Sequence, residues 1–155
     1  MVLDGYSFIV DNMERLTEHF TLKELTSSPT AIRFGIDNTP TGEIISNLLE
    51  LSQLLEKIRT IYNKPIIVTS GYRCYKLNKA VGGAVTSQHL LGQAADIRSV
   101  SDSVKDNKEL FDIILKMVNN GQIKVGQLID EYGYNWIHVS TDHLKNKHNQ
   151  ILHIK

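Results

Sequence analysis

A long amphipathic segment in the first half of the chain constrains the fold more than any other feature. It follows Thr39-Pro40-Thr41-Gly42-Glu43, a typical helix start with proline in the first turn. Apolar residues then recur at alternating steps of four and three, which is the period of one helix face. They are Ile44, Leu48, Leu51, Leu55, Ile58 and Tyr62, and the stripe is widened by Ile45, Leu49, Leu54 and Ile61. This pattern predicts a helix that ends before Pro65 and packs on more than one side.

Shorter patterns predict the remaining elements. Thr21-Leu22-Lys23-Glu24 is a capping box, which predicts a short helix beginning near Leu22. Further along, we expect a helix with an apolar face from Leu110 to Val118, and strands at 65–70, 94–98, 127–132 and 136–141, the last two joined by a tight turn at 133–135. Helices come first and strand pairs later, which favours an α+β fold with a small antiparallel sheet flanked by helices.

Length and composition exclude several classes of protein. The 155 residues contain no linker, so we expect a single domain over 1–155 that ends in a polar, solvated tail at 142–155. Basic and acidic residues balance at 17 each, which argues against nucleic acid as a partner. No apolar run approaches the roughly 20 residues that span a bilayer, and no secretory signal is visible. We therefore expect a monomer synthesised in the cytoplasm.

The most informative stretch runs from Ser87 to Asp96. It places an imidazole, His89, and a carboxylate, Asp96, seven residues apart with small residues between them. Ser87 can cap a helical turn that carries His89, and Gly92 lets the chain leave that turn for a strand that presents Asp96. Small residues beside two polar side chains indicate a crowded site where other backbone comes close.

A second polar position lies in the segment Trp136-Ile137-His138-Val139-Ser140. If this segment is a strand, Ile137 and Val139 share one face, and His138 shares the other with Trp136 and Ser140. Two imidazoles and a carboxylate, with a fourth position left to water, make an open catalytic zinc site. The hypothesis is that His89, Asp96 and His138 bind Zn²⁺.

The pattern S-x-H-x-x-G-x-A-x-D followed by W-x-H resembles the zinc D-Ala-D-Ala carboxypeptidase family. That family includes vancomycin-resistance dipeptidases and phage endolysins, and it shares its fold with the hedgehog signalling domain. Ser70-Gly71-Tyr72-Arg73, Gly82-Gly83, the segment 20–25 and Gly35-Ile36-Asp37-Asn38 also match, so that the resemblance covers residues 16–141. It implies that His89, Asp96 and His138 are the zinc ligands, and that Arg73 binds a substrate carboxylate or steadies the oxyanion.

The general base is the position at which the sequence departs from the family pattern. Relatives usually carry an acid three residues before the second ligating histidine, and here that residue is Asn135. The nearest acids are Asp130 and Glu131 on the preceding strand. A two-residue turn would place Glu131 opposite His138, whereas a slip of one residue would bring Asp130 there instead. The small phage-type relatives carry a glutamate at this place, which favours Glu131 as the base.

The resemblance implies zinc-dependent hydrolysis of peptide bonds in peptidoglycan stem peptides, by a carboxypeptidase or an endopeptidase. Without a signal, action at the cell wall would require release or export. Two rivals stay open: a non-catalytic zinc-containing module that binds cell wall, and a metal-free structural part of a phage particle. The single cysteine, Cys74, is expected to be half-buried and structural, and His19, His143, His148 and His153 are expected to be unrelated to the site.

Overall fold

The computed structural model describes residues 14–143 and 148–155 of the chain. Residues 1–13, to which the expected absence of a secretory signal refers, lie outside the described part. In chain order the elements are α1 (Leu22–Thr26), α2 (Pro29–Phe34), α3 (Gly42–Tyr62), β1 (Ile66–Ser70), α4 (Tyr75–Ala80), a 3₁₀ turn (Gln88–Leu91), β2 (Ala94–Ser99), α5 (Val104–Asn119), β3 (Val125–Glu131), β4 (Trp136–Thr141) and β5 (Gln150–Ile154).

The five strands form one mixed sheet in the order β1-β2-β4-β3-β5. The first three pairings are antiparallel, but β5 pairs in parallel with β3, from Gln127 opposite Gln150 to Glu131 opposite Ile154. The α+β class is confirmed, whereas the prediction of an antiparallel sheet was wrong for β5. The predicted solvated tail at 142–155 was wrong for 150–154, which form a sheet strand, and 144–147 lie outside the described residues.

Helices α1 and α3 begin where the sequence predicts, whereas α2 was not predicted and α5 begins at Val104, before Leu110. Thr21 and Glu24 form both halves of the capping box at the start of α1, and α3 begins at Gly42 and ends at Tyr62. Along α3, the stripe residues Leu48, Leu51, Leu55 and Ile58 are fully buried. Of the residues that widen the stripe, Ile45, Leu49 and Ile61 are exposed and only Leu54 is buried. The prediction that α3 packs on more than one side was therefore wrong for Ile45, Leu49 and Ile61.

One face of the sheet packs on the helices and the other carries the polar side chains. Ala95 and Ile97 of β2 belong to the same buried core as residues of α3 and α5, together with Ile137 and Val139 of β4. Side chains alternate along a strand, so Asp96 and His138 point to the opposite face. In the described part of the chain, none of the helices has the length and hydropathy that crossing a membrane requires.

Candidate metal centre

His89 is oriented by main-chain contacts on both sides. The Ser87 hydroxyl accepts a hydrogen bond from the His89 N–H at 3.3 Å and caps the 3₁₀ turn, which ends at Gly92 in the left-handed region (φ 67°). The ring Nδ1 lies 2.7 Å from the carbonyl oxygen of Gly71. A carbonyl can only accept, so Nδ1 carries a proton, and Nε2 is the ring nitrogen that faces Asp96.

Gly71 is itself held tightly against α1. The Tyr72 N–H donates to the Leu25 carbonyl at 2.7 Å, and a Cβ on Gly71 would lie 2.3 Å from that same carbonyl oxygen. Only glycine therefore fits at this position. The contact places the Gly71 carbonyl where it meets the His89 ring.

Asp96 and His138 are direct register partners on neighbouring strands β2 and β4. The Asp96 Oδ1 lies 3.1 Å from His138 Nδ1 and 3.3 Å from His89 Nε2. The two rings are 5.2 Å apart between centroids, close to perpendicular. The three side chains named from the sequence therefore converge on one small region, and each offers one donor atom within 4.8 Å of the others.

These residues fit a divalent zinc ion. Tetrahedral zinc, with ligand bonds of about 2.0–2.2 Å, keeps its donor atoms about 3.3 Å apart, which is close to the two separations at Asp96. His138 Nε2 is buried and has no hydrogen-bond partner among the described residues. His138 Nδ1 is the nitrogen that faces Asp96, so Nε2 would keep the ring proton when Nδ1 binds a metal.

The electrostatics of the centre favour an ionised carboxylate. Burial alone would raise the pKa of Asp96, but hydrogen bonds from His138 and His89, with their charges, outweigh it and hold that pKa well below its usual range. Asp96 is consequently an anion at neutral pH. An anion beside two imidazoles is a suitable donor set for a divalent cation.

Arg73 lies directly beside this group. Its Nη2 is 3.9 Å from Asp96 Oδ2, and its backbone N–H donates to the His89 carbonyl at 3.0 Å. Burial lowers the pKa of the guanidinium, and the Asp96 charge opposes that effect. Nε is buried and has no hydrogen-bond partner among the described residues, while the residue itself lines the cleft beside Asp96.

Asn78 supports Arg73, and our reading of the sequence missed it. Asn78 is buried, its Oδ1 accepts from Arg73 Nη1 at 3.2 Å, and its Nδ2 donates to the Ala84 carbonyl at 2.9 Å. A Cβ on Gly83 would fall 2.0 Å from Asn78 Oδ1, which explains a glycine there. In the sequence, this role is indicated only by the position of Asn78 between Arg73 and Gly82-Gly83.

Asn38 is a second supporting residue, and its role was not predicted from the sequence. Its Nδ2 donates to the carbonyls of Thr26 and Tyr72, and its Oδ1 accepts from the Cys74 N–H at 2.7 Å. Asn38 thus ties the end of α1 to the segment that carries Gly71 and Arg73. Cys74 is half-buried and its sulfur accepts from the Leu77 N–H at the start of α4, in line with a structural role.

The position of Glu131 differs from the predicted one by two residues. Glu131 pairs with Trp136, and Ile129 is the residue opposite His138. The prediction of a two-residue turn was wrong, because four residues, 132–135, connect β3 and β4. A shift of two keeps a side chain on the same face, so Glu131 still lies on the His138 side of the sheet. Burial raises the pKa of Glu131, with the charges of Asp96 and Asp130 adding to it and His138 opposing it.

Asp130, the alternative base, points to the other face. It pairs with Ile137, and its Oδ1 accepts from the Tyr134 N–H at 2.5 Å while Oδ2 lies 3.2 Å from His153 Nδ1. It does not face Asp96 and His138. Its contacts fix the β3–β4 turn and join it to β5.

Asp96, the central donor, borders a cleft of about 600 Å³ on this face of the sheet. Its walls come from β1, the Arg73 segment, the Gly82-Gly83 loop and the β3–β4 turn. The lining residues are Ser28, Thr30, Thr69, Ser70, Arg73, Val81, Gly82, Gly83, Ala84, Asp96, Glu131, Tyr132 and Trp136. Arg73, Asp96 and Glu131 thus face the same space, which is large enough for a short peptide.

The other histidines lie apart from this centre. His19 contacts Glu56 and, with Glu18, forms a second, largely exposed group of donor atoms. His148 contacts Asp142, and His153 lies on β5 against Asp130 and the ring of Phe111. His153 lies on a strand that was not predicted, but its side chain is 54% exposed, as expected.

Comparison with known proteins gives one clear result. The family model described as peptidase M15 matches residues 18–140, which is most of the chain and includes every donor described above. No curated protein matches the sequence significantly.

Proposed function

The chain belongs to the peptidase M15 family, the zinc D-Ala-D-Ala carboxypeptidases, and on that premise we propose that it hydrolyses peptide bonds in peptidoglycan stem peptides. Members of the family are zinc-dependent metallopeptidases. The observation that carries the proposal is the convergence of His89 Nε2 and His138 Nδ1 on Asp96 Oδ1, at 3.3 and 3.1 Å, where Asp96 lines a peptide-sized cleft.

In this proposal His89, Asp96 and His138 hold the metal. When bound, zinc polarises the substrate carbonyl and lowers the pKa of a water molecule toward about 7. The Gly71 carbonyl keeps the His89 Nδ1 proton in place, so that Nε2 is the nitrogen that would lose its proton and bind the metal. A ligand set fixed by hydrogen bonds needs little rearrangement when the metal arrives.

Glu131 is the proposed general base. It faces the same cleft as Asp96, and burial raises the pKa of its carboxyl toward the range in which a carboxylate exchanges protons readily. It would accept a proton from the attacking water and pass it to the leaving amine. The family pattern has an acid three residues before the second histidine, and Glu131 supplies one from the neighbouring strand in place of Asn135.

Arg73 is the proposed cation for the substrate. Arg73 lines the cleft, and Asn78 holds its Nη1. It would bind the terminal carboxylate of a substrate or stabilise the charge that develops on the carbonyl oxygen.

Digestion of defined muropeptides tests the function. Purified protein loaded with zinc is incubated with stem peptides of known sequence, and the fragments are identified by mass spectrometry. Cleavage at one peptide bond is expected, and Glu131→Gln should lose at least about 100-fold in kcat while it keeps its zinc.

The result also separates the rivals. Protein that binds zinc and wall fragments but never cleaves them would be the non-catalytic module. Protein that binds no zinc at all would refute the metal site and leave a structural role. Cleavage that persists in Glu131→Gln would remove Glu131 from the proposed chemistry.

A further inference from the structure

The cleft has two chemically different ends. The strand order places β1 and β3 on opposite sides of the donors, which lie on β2, β4 and the 3₁₀ turn. Hydroxyl groups and Arg73 line the β1 end, and the aromatic rings of Tyr132 and Trp136 line the β3 end. With strands about 4.8 Å apart, three spacings give a cleft of about 14 Å from end to end.

Tyr132 adopts a backbone conformation that a large side chain rarely takes. Its φ is 51°, and Tyr134 in the same turn has a φ of 64°. A left-handed conformation is unfavourable for residues that carry a Cβ, and most of all for bulky ones. Tyr132 is 54% exposed, so burial does not offset this cost. Its ring packs at the cleft on that of Trp136, with centroids 5.3 Å apart.

The turn that carries Tyr132 is held from outside. The Tyr132 N–H donates to the Ile154 carbonyl of β5 at 2.7 Å, and Asp130 Oδ1 accepts from the Tyr134 N–H at 2.5 Å. Asn107 Nδ2 on α5 donates to the Tyr134 carbonyl at 2.9 Å. Three separate elements therefore impose the conformation. Strain that surroundings impose in this way is concentrated at binding and catalytic sites.

We propose that Tyr132 forms a substrate-binding subsite that contacts an apolar side chain on the amino-terminal side of the scissile bond. This inference rests on the proposed function, since it takes the substrate to be a peptide lying along the cleft. Arg73 suits the carboxyl end of that peptide, so the amino-terminal part extends toward β3. Aromatic rings pack well against aliphatic groups, and the Trp136 ring fixes one side of the Tyr132 ring.

Peptide length gives the subsite a distinctive signature. From a bond cut midway between β2 and β4, the β3 end is about 7 Å away, or two extended residues at about 3.3 Å each. A dipeptide has only one residue on that side and falls short of Tyr132. A tetrapeptide with an apolar residue in the second position before the scissile bond reaches it.

The test compares these two substrates in steady-state kinetics. Tyr132→Ala should raise KM for the tetrapeptide about 2- to 10-fold, the range for loss of one aromatic contact, with kcat unchanged and the dipeptide unaffected. Tyr132→Phe keeps the ring and should behave like the wild type. Tyr75→Ala is the matched control, because Tyr75 is 69% exposed and lies outside the lining of the cleft.

Tyr132→Gly separates a binding role from a folding role. Glycine adopts a φ of 51° without a steric cost, so the melting temperature should rise while KM for the tetrapeptide increases as in the alanine variant. A lower melting temperature with an unchanged tetrapeptide-to-dipeptide ratio would make Tyr132 a folding residue and overturn the inference. If the wild type cleaves neither peptide, the proposed function itself has failed. If it cleaves both and Tyr132→Ala alters neither KM, only the subsite is refuted.

Discussion

The donor group and the β3–β4 turn border the same cleft, yet they are built in different ways. His89, Asp96 and His138 are placed by main-chain hydrogen bonds and by the register of two central strands. Glu131 and Tyr132 stand at the end of β3, where their positions depend on the length of the turn and on contacts from α5 and β5. Central strands therefore fix the metal donors robustly, whereas the proposed base and subsite depend on distant parts of the chain.

The largest expected effect comes from removing a donor. His89→Ala should abolish stoichiometric zinc binding and reduce hydrolysis at least about 1,000-fold, because two remaining ligands hold zinc weakly. Zinc content by atomic emission and turnover of a stem peptide measure the two effects. His19→Ala is the control, since it removes a histidine from the exposed group with Glu18 and Glu56. Zinc lost from the control and retained in His89→Ala would move the metal to that other group.

The next effect tests whether the donor region depends on backbone packing. Gly71→Ala places a methyl group 2.3 Å from the Leu25 carbonyl oxygen, so the free energy of unfolding should fall by about 3 kcal/mol, the upper end for overpacking. Urea denaturation measures it, and zinc affinity should fall as well because the Gly71 carbonyl orients His89. Gly42→Ala is the control, with no atom near its Cβ, and should leave stability almost unchanged. Equal stability of the two variants would contradict the packing described here.

A smaller effect is expected at the turn. Asp130→Ala leaves the Tyr134 N–H without its acceptor, and the free energy of unfolding should fall by about 1–2 kcal/mol. Turnover should fall too, since the turn follows Glu131 directly, but zinc content should stay at the wild-type level. Asp112→Ala breaks only an exposed ion pair with Lys108 and should change stability by less than about 0.5 kcal/mol. Zinc loss in Asp130→Ala would show that the two regions are not independent.

The smallest expected effect is a change in the pKa of Glu131, at the end of β3, when zinc binds to the donor group. In metal-free protein, the Glu131 carboxyl should titrate above the pH of an ordinary glutamate, because burial disfavours its charged form. Added zinc should lower that pKa, since a nearby dication stabilises the carboxylate. Carbon-13 NMR titration of the side chain, assigned with Glu131→Gln, measures both values. A pKa that is insensitive to zinc would place Glu131 too far from the metal to act as the base.

What the sequence predicted well was local. The Ser87 cap, Gly92 after the 3₁₀ turn and the alternation around His138 each depend on residues within a few positions, and all were confirmed. The capping box at Thr21 was confirmed for the same reason. These signals arise from backbone groups that near neighbours satisfy, so a single sequence reveals them.

What the sequence did not predict depends on pairing over long range. The register of β3 against β4 differs from the predicted one because the turn has four residues. The turn is held by contacts to Asn107 and Ile154, which no local sequence pattern reveals. Strand β5 was not predicted because Gln150–Ile154 is short and half-polar. This strand is stabilised by its pairing with β3. The roles of Asn38 and Asn78 likewise follow only from the segments they join.

The Gly71 segment bears on how freely sequences with this architecture can diverge. The Leu25 carbonyl, the Tyr72 amide and the Gly71 carbonyl that steadies the first imidazole are all peptide groups, which every residue type except proline supplies in full. Neighbouring side chains can therefore be exchanged over evolutionary time without disturbing the orientation of that imidazole. The glycine has no such freedom, and distant homologues should retain it after the identities around it have been lost.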